Sequence, residues 1–301
     1  MRFRPTLTPY LFCILFCTIA FVSCEKTLEE ERTYAEDASI VTYIGANKYT
    51  MVGDVYCVPR IPSYGYQPNK GDTVTFWYIG YTLDGKIFDT NVDGVAKKAK
   101  LNTLTRSFEP VTIIAGNGVL VEGLDEGMML VSENEVATIL FPSSLGFGQN
   151  AIGPIPQWSS LAYDIELLKV NGAGIQKEKA YIEGLNLTRS GYTLDTSGLF
   201  YKYLVLGTDS TPTIKNDTVY GWYKGTLPDS TVIKDLGEGS QQIILSNSDI
   251  PAGVRLGFML TKNGGSAKLV LPSFLGFGNK GLGDVGPYQT LFYEIRLDSI
   301  K

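Results

Sequence analysis

The chain has 301 residues, a formal net charge of −5 and no histidine. An acidic balance argues against a nucleic-acid partner, whose phosphates call for a basic face. The missing histidine removes Ser-His-Asp and Cys-His catalysis and the commonest transition-metal ligand, so surviving chemistry must use carboxylates, hydroxyls, backbone groups or pocket shape.

Arg2 and Arg4 precede an apolar run over residues 11–22, and Ser23-Cys24 follows. A positive start and a short apolar run predict a secretory signal over residues 1–23; the run is too short for the ~20 residues that span a bilayer. Phe21-Val22-Ser23-Cys24 resembles a bacterial lipobox, although Phe21 departs from the usual leucine. The resemblance implies that Cys24 is acylated and anchors the chain in the cell envelope, with the outer membrane expected, through more than one acyl chain. Residues 24–43, which include Glu25 and Glu29-Glu30-Glu31, are expected to form an extended polar tether. Cys13 and Cys17 leave with the signal, so Cys57 remains as an unpaired, buried strand residue.

A first domain is read over residues 44–170. Thr73, Thr75 and Trp77 alternate with Val74, Phe76 and Tyr78, the period of a strand. Residues 92–109 are polar, carry Lys97, Lys98, Lys100 and Arg106, and predict a loop. Leu120, Leu124 and Met128 recur at helical spacing and predict one short helix, with Asp125 and Glu126 in its first turn. A helical linker is expected over residues 171–189, and a second domain over residues 190–301. There Ile250, Val254 and Phe258 predict the corresponding helix, with Asp249 as N-cap and Pro251 in the first turn.

The two halves repeat one another. Gly71-Asp72-Thr73-Val74-Thr75-Phe76-Trp77-Tyr78-Ile79-Gly80 returns loosely as Asn216-Asp217-Thr218-Val219-Tyr220-Gly221-Trp222-Tyr223-Lys224-Gly225. Pro142-Ser143-Ser144-Leu145-Gly146-Phe147-Gly148 returns with one change as Pro272-Ser273-Phe274-Leu275-Gly276-Phe277-Gly278, and Leu161-Ala162-Tyr163-Asp164-Ile165-Glu166-Leu167 as Leu291-Phe292-Tyr293-Glu294-Ile295-Arg296-Leu297. The first copy carries 15 extra residues between its first two blocks, placed within residues 92–109. The fold class is α+β: two domains, each an antiparallel sheet wrapped on one short helix.

Taken in order, Lys70-Gly71-Asp72, Tyr78-Ile79-Gly80, Leu83-Asp84-Gly85-Lys86-Ile87-Phe88-Asp89, Leu120-Val121-Glu122-Gly123-Leu124 and the Phe141–Gly148 loop resemble the motifs of the FKBP-type peptidyl-prolyl isomerases. The resemblance implies a shallow apolar pocket for a proline ring, with Tyr78, Phe88, Asp89, Phe147 and Tyr163 as the acting residues. Leu120, Val121, Leu124 and Ile155 would contact the substrate. Phe147 stands where the family usually has tyrosine, and Leu124 where it often has tryptophan. Rotating an amide costs about 18–20 kcal/mol. A twisted amide has less charge separation than a planar one, so a dry aromatic pocket favours it with no cofactor or metal.

The implied partners are proline-containing segments of envelope proteins, with the membrane engaged through Cys24. Activity is expected in the first domain alone, because Ile233-Lys234 stands at the place of Phe88-Asp89. Taken singly, Tyr78, Phe88 and Tyr163 also read as sheet-core aromatics. The competing reading is a non-catalytic FKBP-like binding or chaperone subunit of an outer-membrane assembly or secretion complex.

Overall fold

Thr27 accepts a hydrogen bond from the Glu30 backbone N–H at 3.2 Å, and Glu30 accepts from the Thr27 N–H at 2.8 Å. This capping box starts helix α1, Leu28–Ile44, whose first turn holds Glu29, Glu30 and Glu31 at the positive end of the dipole. The segment expected to be an extended tether is therefore helical from Leu28. Ile40 and Ile44, one turn apart, are fully buried, and that narrow stripe fastens an otherwise polar helix to the first sheet. The computed structural model describes residues 27–104, 106–208, 218–237 and 239–300. The expected signal peptide, Cys24 and the Asn216-Asp217 pair lie outside them.

The first domain continues as β1 (Thr50–Val52), β2 (Val55–Ile61), β3 (Thr73–Thr82), β4 (Ile87–Thr90), α2 (Asp93–Lys98), β5 (Val111–Ile114), α3 (Glu122–Met128), β6 (Val136–Phe141) and β7 (Leu161–Asn171). The sheet is antiparallel, in the order β1-β2-β6-β7-β3-β4, with β5 also on β3. Beside β3, β4 takes residues 79–81 and β5 takes residues 73–76. The buried Asn91 side chain fills the break between them: it accepts from the Tyr78 N–H at 2.8 Å and donates to the Phe76 and Glu109 carbonyls. The extra residues of the first copy thus leave and rejoin the sheet at one pinned point. They also contain a short helix, α2, where a plain loop was expected.

Both faces of this sheet are covered. Val55 and Cys57 on β2 face the cluster beneath α3, with Leu124, Met128, Ile139 and Phe141. Tyr56 and Val58 face the cluster beneath α1. Burial pushes the Cys57 thiol up to about 12, with the Glu135 carboxylate adding to the shift. Helix α3 approaches the sheet through two glycines a turn apart: a Cβ on Gly123 would lie 2.2 Å from the Phe141 ring, and one on Gly127 2.2 Å from Ile139 Cγ2. The helix begins at Glu122, so Leu120 and the extended Val121 precede it. They share its spacing because the entering chain turns them toward the same core.

α4 (Ala173–Gly184) follows β7 directly, and then come β8 (Thr193–Leu194), β9 (Phe200–Val205), β10 (Thr218–Thr226), β11 (Val232–Asp235), β12 (Gln241–Ile244), α5 (Ala252–Leu260), β13 (Gly265–Leu271) and β14 (Leu291–Ile300). The second sheet runs β11-β10-β14-β13-β9-β8 with β12 on β10, the first topology repeated. Pro251, in extended conformation, is the N-cap of α5, so Asp249 lies outside the helix rather than capping it. Asp249 lies in a turn and Ile250 in the bend that follows it, with the Ile250 side chain buried in the core.

The domains are in contact. Tyr66 and Phe274 meet edge to face at 4.9 Å, Asn279 Nδ2 donates to the Pro68 carbonyl at 3.0 Å, and the Tyr288 hydroxyl donates to Asp72 at 3.0 Å. Helix α4, in the segment read as a linker, belongs to both: Ile175 is buried in the first core, and Glu178 bonds to the second domain.

Candidate functional site

The candidate site of the first domain is built on the sheet face that carries α3, beside the loop of residues 143–158. Tyr163 on β7 is its centre. Phe88 meets the Tyr163 ring edge-on at 5.6 Å, Tyr78 is tilted against it at 6.4 Å, and Phe141 stacks on it at 6.0 Å. Gly80, opposite Tyr163 in register, makes this possible, since a Cβ there would stand 2.7 Å from the Tyr163 ring and 2.8 Å from Phe88. That is a physical reason for the glycine in Tyr78-Ile79-Gly80.

Leu124, Ile155, Phe88 and Tyr163 are buried in one cluster, and Tyr78, Leu120, Val121 and Phe147 are half-buried against it. The structure therefore brings together all eight apolar and aromatic residues named from the sequence. The Phe147 and Ile155 loop is drawn in by reciprocal backbone bonds of 3.0 Å between Ile152 and Ile155. Asp125 closes another wall, accepting from the N–H groups of Gly116 and Gly118 at 2.8 Å each.

Asp89 stands at the rim. The Tyr78 hydroxyl donates to one of its oxygens at 2.9 Å; the other accepts from the Thr90 N–H at 3.0 Å and from the Arg106 guanidinium. With both oxygens engaged, the carboxylate can shape the local field but is poorly placed to take a proton. Burial, then the Asp89 charge, pushes the Tyr78 phenol up, so it remains a donor. Burial also raises Tyr163. Arg106 and Phe141 were not among the site residues named from the sequence. Arg106 sits within the polar insertion, where nothing but its being the sole arginine set it apart from the lysines. Phe141 immediately precedes the Pro142 motif.

The second domain holds the corresponding cleft, about 630 Å³, lined by Tyr223, Ile233, Lys234, Phe277, Val285 and Tyr293. Its register settles the correspondence: Lys234 pairs with Gly225 as Asp89 pairs with Gly80. Asp249 and Asp284 stand on its other walls. Burial, then the Asp249 charge, raises the Tyr223 phenol.

The family model for FKBP-type peptidyl-prolyl cis-trans isomerases matches residues 65–168 and 210–298. Among curated proteins, the peptidyl-prolyl cis-trans isomerase FKBP10 of Mus musculus is 28% identical over 261 residues, 84% of this chain and 38% of that protein. The short-type peptidyl-prolyl cis-trans isomerase of Methanocaldococcus jannaschii is 39% identical over 79 residues, 26% of this chain and 50% of that protein. This chain thus spans well under half the length of the mouse relative. Among solved structures, a peptidyl-prolyl cis-trans isomerase of Pseudomonas syringae pv. tomato aligns with a TM-score of 0.39 and 25% identity, covering 43% of this chain and 94% of its own. FkpA of Escherichia coli aligns with a TM-score of 0.37 and 30% identity, covering 42% and 58%.

Proposed function

This chain belongs to the FKBP-type peptidyl-prolyl cis-trans isomerase family, and from that premise we propose that its first domain isomerises Xaa-Pro bonds in envelope proteins while Cys24 holds it to the membrane. The observation that carries the catalytic part is the ring cluster around Tyr163 beside a pinned carboxylate, Asp89. A proline ring laid against Phe88, Phe147 and Ile155 leaves its preceding amide near Tyr163 in surroundings poor in water. There the planar, charge-separated amide loses solvation that the twisted form needs less, and the barrier falls. The residues act by shape and field; no step of proton or group transfer is required.

The second domain serves as a binding module on this reading. Its cleft retains Tyr223, Phe277 and Tyr293, but an aliphatic chain and an ammonium replace the aromatic and carboxylate at its rim. That observation favours a companion role as a client-holding or chaperone component of an outer-membrane assembly. An isomerase assay on the full chain, with each cleft disabled in turn, tests the assignment: activity that survives loss of the first cleft overturns it. Fractionation tests the anchor, since Cys24→Ala should move the protein out of the membrane pellet, and a variant that stays there through carbonate extraction refutes it.

A further inference from the structure

We propose that α1 is a positioning element of the first cleft: Glu36 and Arg32 grip the loop of residues 143–158 at its two ends and so place Phe147 and Ile155. The proposal rests on the reading that this cleft accepts a prolyl segment. Glu36, its side chain 11% exposed, accepts from the backbone N–H of Ser143 at 2.7 Å and from its hydroxyl at 2.9 Å. The Ser143 carbonyl in turn accepts from the N–H groups of Gly146 and Gly148, both at 2.9 Å, which encloses Phe147. The Gly148 carbonyl accepts from the Trp158 N–H at 2.7 Å. At that far end the Arg32 guanidinium lies 3.5 Å from the centroid of the Trp158 ring. Arg32 precedes Glu36 by one helical turn, 3.8 Å away, so one helix holds both ends at once.

Sheet coverage alone does not account for these residues. Ile40 and Ile44 already bury α1, and a carboxylate taken out of water is unfavourable unless its bonds repay the loss. Here those bonds run to Ser143 of the loop. The second copy makes the same attachment with different neighbours. Glu178 accepts from the Ser273 N–H at 2.7 Å and hydroxyl at 2.6 Å, and from the Thr290 hydroxyl at 2.9 Å. Ser273 is the repeat of Ser143. Gly174, one turn before Glu178, lies against the ring of Tyr288, the repeat of Trp158. Trp158 and Tyr288 even share a left-handed backbone, with φ of 58° and 53°. Two helices with little else in common keep an acid on the same serine and contact the same ring position. The unit that repeats therefore begins at the helix and not at the sheet.

Tyr78, Phe88 and Tyr163 are fixed by the sheet, whereas Phe147 and Ile155 ride on the loop. The distance between the two walls of the cleft thus depends on the clamp. The test uses the full chain with Glu36→Ala, Glu36→Gln and Arg32→Met, measuring amide hydrogen exchange over residues 143–158 and the kinetics of prolyl isomerisation. Glu36→Ala should speed exchange in that loop while leaving the α3 amides unchanged. It should also lower kcat/KM by about tenfold to a hundredfold, chiefly through KM, because the displaced residues touch the ring rather than the twisting bond. Glu36→Gln, which retains one acceptor, should recover part of both. An unchanged kcat/KM in Glu36→Ala overturns the proposal, whatever happens to the melting temperature. An inactive wild-type chain instead refutes the functional reading, and loop exchange then decides alone: if it is unaltered in Glu36→Ala, the clamp is refuted as well.

Discussion

Lys234 occupies in the second sheet the register position that Asp89 occupies in the first, each opposite the glycine that makes room for a central tyrosine. With Ile233 in place of Phe88 beside it, this exchange of carboxylate for ammonium gives the two sites different rims. It permits a direct test within one molecule. Phe88→Ala or Asp89→Ala should lower kcat/KM of the full chain by about tenfold or more, a barrier increase of ~1.4 kcal/mol or greater. Ile233→Ala and Lys234→Ala should leave it within about twofold on the same scale. The reverse pattern, read in a protease-free isomerisation assay, would place the activity in the second cleft.

Arg106 tests whether Asp89 must be held. The pair is partly exposed, with side chains 25% and 40% accessible, so its loss should change stability by about 1 kcal/mol or less. Arg106→Met nevertheless leaves one Asp89 oxygen at the mouth of the cleft with the Thr90 N–H as its remaining named donor. A fall in kcat/KM of roughly threefold to tenfold is expected with the melting temperature nearly unmoved. Equal losses in both would mean that Arg106 chiefly braces the insertion.

Gly127 carries the close approach of α3 to the sheet. In Gly127→Ala the new methyl would press on Ile139 Cγ2 at 2.2 Å and Val55 Cγ1 at 3.2 Å. Urea unfolding should show a loss of about 1–3 kcal/mol. Removing the clashing methyl in Gly127→Ala/Ile139→Ala should leave less damage than the two single changes summed. Strict additivity would place the strain elsewhere.

Glu178 sets a pH dependence. It is buried between the domains, and desolvation raises its carboxyl above the ordinary value of 4.5 despite bonds from Ser273, Thr290 and Tyr66. A folded-state pKa above the unfolded one means that the group's stabilising contribution is complete below about pH 4.5 and is lost as pH rises through the raised value. The difference in unfolding free energy between wild type and Glu178→Gln should therefore shift in favour of the variant as pH climbs through that window. Glu178→Ala, which leaves the Ser273 N–H unpaired, should be destabilised at every pH by about 1–3 kcal/mol. A wild type and Glu178→Gln that keep a constant gap from pH 4 to pH 8 would contradict the burial argument.

The strands and the correspondence of the two sites were legible in the sequence because both rest on local spacing. Thr73 to Tyr78 alternate along the pleat, and the serine-containing loop recurs almost unchanged. Helix α1 was hidden because only Ile40 and Ile44 mark its buried stripe among acids and polar residues, a composition that also suits a tether. Arg106 was hidden for another reason: its partner lies across an insertion with no counterpart in the second copy, so the repeat could not point to it. The bound of α3 was displaced because Leu120 reaches the same core from the bend that precedes the helix. The misses at α1 and Arg106 turn on contacts between segments distant in the chain.

The shared helix α4 makes synthesis directional. Ile175 is buried in the first core, so that core is not complete until the start of α4 has joined it. The second domain then finds Glu178 and Asp72 already in place, and its Ser273 turn and Tyr288 dock onto a finished surface. Folding should thus run from the amino end as a relay, each step supplying a wall of the next. A cut anywhere in residues 172–190 would orphan one partner, so the junction behaves as a common part of two bodies and offers no clean place to separate them.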